Sequence, residues 1–155
     1  MQRRHLMIAA AGSCVVPAFA HHGWSSFDTD RPIYLEGTAA SVRWRNPHVE
    51  LELDVNPNLK LPADLATLPL PAQSAQVDGP AVLKKTVLPQ RRDKRWTLEL
   101  APLTRMEAWR VKEIKPGATL AVIGYTMAGE KGDAVLRVEY LFVDQQAYGL
   151  RSSPA

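Results

Sequence analysis

The residues of this chain best suited to chemistry are His21, His22 and His48, because imidazole nitrogens bind divalent transition metals. His21 and His22 follow Ala18-Phe19-Ala20, which supplies small residues at the two positions a signal peptidase reads. Cleavage after Ala20 would make His21 the first residue of the exported chain. Its α-amine, with a pKa of roughly 7.7–8.0, and its own ring would then form a chelate, and His22 would add a second ring. His48 follows Pro47 at a strand start, where a rigid turn can aim it toward the N-terminus. Three imidazoles and an amine suit Cu(II), which favours nitrogen in square-planar or tetragonal geometry, and also suit Zn(II). Asp28 is a further oxygen donor or an outer partner. Cleavage after Ala18 would instead make His21 the third residue, a different copper geometry. The plain alternative is a frayed terminus that binds metal as any short peptide does, with His48 bonded to its own loop.

The leader expected over residues 1–20 has Arg3 and Arg4 at its front and a mostly apolar run from Leu6 to Val16. Export by the Sec route fits this pattern; Arg3-Arg4 also loosely matches a twin-arginine signal. The expected compartment is the periplasm. The formal charge of +3 loses two positive charges with Arg3 and Arg4, which removes most support for polyanion binding. The only cysteine, Cys14, lies in the leader, so the exported chain would hold metal through nitrogen and oxygen alone, with thioether help at most. No later stretch is apolar for the roughly 20 residues a membrane helix needs, and no nucleic-acid partner is expected.

Other chemistries find less support. Ser25, Ser26 and Ser41 lack the glycine context of a nucleophile elbow. Glu50, Glu52 and Asp54 alternate along one strand and read better as a solvated face than as an acid–base pair. The glycines between 124 and 132 precede no helix and fit turns rather than a phosphate loop. The reading is therefore non-enzymatic. Trp44, Trp96 and Trp109 suit packing; Trp24 stands apart, three residues from the expected terminus.

The elements that must position these residues are short strands. β-Compatible residues run from Ile33 to Trp44, broken by Asn46-Pro47-His48, and Val49 to Val55 alternates without a fault. Residues 56–95 hold six of the chain's twelve prolines and read as extended, poorly packed chain ending in the solvated cluster Arg91-Arg92-Asp93-Lys94-Arg95. Alternation resumes at Trp96–Leu100. Thr104-Arg105-Met106-Glu107 matches a capping box, so a short helix should start there and stop before Pro116-Gly117. Strands over 119–126 and 134–143 follow, and the chain from Gln145 onward shows no pattern. The fold expected is mainly β, a five-stranded OB-fold-like barrel with one short helix between strands three and four. It forms one domain over 21–150, with a Pro-rich loop insertion at about 56–95.

His21-His22-Gly23-Trp24-Ser25-Ser26-Phe27-Asp28, Leu35-Glu36-Gly37-Thr38, Trp44-Arg45-Asn46-Pro47-His48 and Lys115-Pro116-Gly117 together resemble the DUF6152 proteins, small exported bacterial proteins without an established function. The resemblance implies that His21, His22 and His48 belong together, and it implies no activity. The chain departs from the pattern in its Gly23-Trp24 pair, which puts the aromatic one position early. It departs again in the Pro-rich segment, and at Tyr125-Thr126-Met127, where many relatives carry a histidine. The function expected is divalent metal binding, copper favoured, in metal handling or delivery. The alternative is a metal-free periplasmic module that binds a protein or small ligand with a barrel face and the Pro-rich loop.

Overall fold

A computed structural model describes residues 23–155, so His21 and His22 lie outside the described residues. The elements are β1 (Ile33–Arg43), β2 (Glu50–Val55), α1 (Gly79–Lys85), β3 (Arg95–Glu99), α2 (Leu103–Ala108), β4 (Thr119–Tyr125), β5 (Val135–Val143) and β6 (Gln146–Gly149). Antiparallel pairs β1–β2, β2–β3, β1–β4 and β4–β5 and the parallel pair β3–β5 close a five-stranded mixed barrel in the OB order. α2 falls between β3 and β4, as the sequence implies. Closure leaves those five strands without a long free edge.

Alternation explains the barrel interior. Leu51, Leu53, Trp96 and Leu98 point inward from β2 and β3, and meet Ile33, Leu35, Val122, Leu136, Val138 and Leu141. β1 serves two partners, β4 along its first half and β2 along its second, and Gly37 is paired to both Leu120 and Val55. A Cβ at Gly37 would lie 2.0 Å from the Asp54 carbonyl oxygen, so only glycine permits this crossing.

Three local expectations change. α2 begins at Leu103 rather than after Thr104, and no side chain of its own N-cap residue, Pro102, closes it. The carboxamide of Asn46 accepts the Leu103 N–H instead, at 3.1 Å, so the turn before β2 supplies the cap from 57 residues away. The chain after Val143 is ordered: Asp144 and Gln145, both at positive φ, make a two-residue hairpin that returns β6 along β5. The segment 56–95 is not loose. Leu65 and Leu83 pack with Tyr34, Ile123 and Tyr140 into a second core on the outside of β1, β4 and β5. Its residues 72–75 also bond to the C-terminal tail, Ser74 N–H to Ser153 O at 2.9 Å and Ala155 N–H to Ala72 O at 3.2 Å. Among the described residues, no helix is long and apolar enough to cross a membrane.

Because Leu83 is buried against the barrel, Leu83→Ala should lower unfolding free energy by about 2–5 kcal/mol in urea titration. A segment that merely looped through solvent would give a change near zero.

Candidate functional site

The site is best built from the register of the barrel. Tyr125 of β4 pairs with Arg137 of β5. Arg137 pairs with Glu99 of β3, Glu99 with Glu50 of β2, and Glu50 with Arg43 of β1. Their sequence neighbours Leu136, Leu98 and Leu51 point inward, so this row lies on the barrel's outer surface. Two glutamates directly opposite each other repel. Here each has an arginine on its far side: Arg43 bridges to Glu50, and Arg137 Nε lies 3.5 Å from a Glu99 oxygen. Burial pulls the Arg137 guanidinium below its ordinary pKa, and Glu99 acts in the opposite direction.

His48 stands at one end of this face. Val49 is fully buried and continues the β2–β3 ladder past Glu50, its N–H bonded to Ala101 O and its carbonyl accepting from Leu100 N–H, both at 2.9 Å. His48 and Glu50 flank Val49, so both project on the opposite, outer side. His48 is half-buried. The Asn46 cap on α2 fixes the same turn from within.

The N-terminal segment approaches the other end. Phe27 forms a bridge with Met127, and Asp28 N–H donates to Thr126 O at 2.9 Å. Met127 thus lies beside the N-terminal segment. Trp24 starts a single helical turn, Trp24–Ser26, and its ring meets Tyr125 edge-on at 6.1 Å. The Arg151 guanidinium lies 3.9 Å from the centre of that ring and the Arg137 guanidinium 5.3 Å. Burial, reinforced by Glu139, pushes the Tyr125 hydroxyl up to about 12, so it stays neutral beside the indole.

Among the described residues, no three of His, Cys, Asp or Glu gather closely enough to hold a metal ion. Of the three expected histidine ligands, His48 lies among them. Asp28 is engaged locally, accepting the Asp30 N–H at 3.2 Å. Arg137, Glu99 and Arg151 belong to no motif in the sequence. A signal existed: β5 is apolar on both faces except at Arg137 and Glu139, and charges inside such a run need partners.

The loop between β4 and β5 flanks the same surface, and the Glu130 carboxylate is central to holding it, with Arg91 Nη1 also donating to the Glu130 and Gly132 carbonyls at 2.9 Å. Glu130, buried and at positive φ, accepts from Gln90 N–H at 2.9 Å, Arg91 N–H at 2.8 Å and Arg31 Nη1 at 2.5 Å. Burial alone would raise its pKa, but the Arg91 and Gln90 amides and the Arg31 guanidinium outweigh that and lower it. A carboxylate with a depressed folded pKa adds stability above its unfolded pKa and loses it as pH falls through the folded value. Glu130→Gln should therefore cost about 1–3 kcal/mol at neutral pH. Its deficit against wild type should shrink once pH drops below the unfolded value of roughly 4.3, measured by denaturant titration across pH.

No curated protein and no solved structure matches the chain. The model of DUF6152, a family of unknown function, matches residues 10–60, the stretch that carries His21, His22, Trp24, β1, Asn46-Pro47-His48 and β2.

Proposed function

We propose that this is an exported barrel that binds a divalent metal ion, copper favoured, through His21, His22 and His48, and that its role is metal handling or delivery. The observation that carries the reading is the stacking of Trp24 over Arg137, in the same outer row as Glu50. Two strand spacings separate Arg137 from Glu50, about 10 Å, and His48 lies two residues beyond. The three residues from Trp24 back to His21 span about 10 Å when extended, so the terminal histidines can meet His48 over this face. Glu50 and Glu99 lie between the two ends, each paired with an arginine, so the row adds no net charge to the approach. The imidazole and amine donors select a transition-metal cation, and they support Cu(II) ahead of Zn(II).

A second reading, a metal-free binding module, draws on another part of the surface. A cleft of about 570 Å³ opens between Leu68 and Pro69 of the insertion, Ala121 and Phe142 of the barrel, and the Asp144-Gln145 turn. Its walls suit a peptide or small ligand with apolar groups.

Calorimetric and electron paramagnetic resonance titration with Cu(II) separates the two readings. The protein would be taken as exported and processed by the expressing cell, with His21 expected as its first residue. One-to-one binding that weakens at least about tenfold in His48→Ala, a change of about 1.4 kcal/mol, is the expected result. Binding indifferent to His48, or no tighter than that of a His-His-Gly-Trp peptide, would overturn the metal reading and leave the cleft as the lead.

A further inference from the structure

Glu139 is wholly buried, in the bulge where β5 slips register against β4 between Ile123 and Gly124. A buried carboxylate needs a charged partner, and Arg151 supplies one: its Nε and Nη2 both donate to Glu139 Oε2, at 2.8 and 2.5 Å. Gln73 from the insertion adds a contact at 3.4 Å, and the Leu150 N–H donates to the Glu139 carbonyl at 2.7 Å. These bonds use the edge of the guanidinium and fix its plane. One face of that plane remains for stacking, and Trp24 takes it at 3.9 Å.

Phe27 and Asp28 are held to Met127 and Thr126; no residue of the preceding Trp24–Ser26 turn is fully buried, and the indole ties that turn to the barrel. Arg151 is held without the indole, by Glu139 and by Tyr125, whose ring centre lies 5.9 Å from the guanidinium. The indole's position is specific: it sits three residues after His21 and between two arginines, one in the outer row and one in the C-terminal tail. We propose that Trp24 and Arg151 form a clamp that fixes where the N-terminal segment leaves the barrel, and so aims His21 and His22 at His48. Trp24 and Arg151 are then positioning residues, acting through the buried Glu139. The purpose assigned to the clamp rests on the metal reading; the clamp itself does not.

The test combines hydrogen exchange of the peptide covering 21–28 with copper titration, in wild type, Trp24→Ala, Trp24→Phe and Arg151→Lys. Arg151→Lys keeps a cation for Glu139 and removes the flat stacking surface, which guards against simple unfolding. In Trp24→Ala and Arg151→Lys, exchange at 21–28 should rise about tenfold with the barrel unchanged, and copper affinity should fall about tenfold. Their resonance spectra should turn peptide-like, and Trp24→Phe should restore most of both. Wild-type affinity and spectrum in Trp24→Ala and Arg151→Lys would overturn the proposal, since a structural contact alone would leave the copper spectrum unmoved. Should wild type itself bind copper no better than a short peptide, the metal reading fails and exchange alone judges the clamp. A rise at 21–28 upholds it, and unchanged exchange overturns it.

Discussion

The parallel pairing of β3 with β5 is the constraint on which the rest depends. Without it the chain would be an open sheet with β3 at one edge and β6 at the other. With it, Thr97, Leu98 and Glu99 lie beside Val135, Leu136 and Arg137, and the interior leucines of both strands meet in one core. The same register aligns Tyr125, Arg137, Glu99, Glu50 and Arg43 into one outer row with its charges in compensating order. Packing inside the barrel and charge placement outside it are thus two consequences of one pairing.

Buried charges then fasten what the barrel alone would leave loose. Glu130 ties the β4–β5 loop to Arg31, Gln90 and Arg91, drawing together segments about 40 and 99 residues away in sequence. Glu139 ties the tail through Arg151 and reaches the insertion through Gln73. Such carboxylates are expensive to desolvate, and their value is in geometry: removing one partner leaves a buried charge unmet. Together with the Leu65 and Leu83 core, they make a proline-rich segment of some forty residues part of the domain.

Much of this was legible in local pattern. The alternation of Val49–Val55 and Trp96–Leu100, the helix before Pro116-Gly117 and the five-strand order follow from side-chain period and turn residues, and the barrel has them. What escaped were relations between distant residues. Thr104 has the right neighbours for a cap, but Asn46 does the capping because the β1–β2 turn folds against α2. The insertion reads as extended, poorly packed chain because its prolines dominate, while Leu65 and Leu83, its buried anchors, are spaced too far apart to show a period. Strand β6 lacked an Asn-Gly signal, and Asp144-Gln145 makes the turn with less permissive residues. Of the site, His48 and the outward acids of β2 were visible; Glu99, Arg137 and Arg151 became relevant only through register and the β5 bulge.

The proposed metal site requires the N-terminal histidines to reach His48 on one outer face of the barrel. Paramagnetic broadening by Cu(II), with Zn(II) as the diamagnetic control, reads that requirement directly in amide spectra of the exported protein. Loss of signal at residues 46–50 and 99–101 together with 23–25 is the predicted result. Broadening confined to 23–25, with the amides around His48 left sharp, would contradict it.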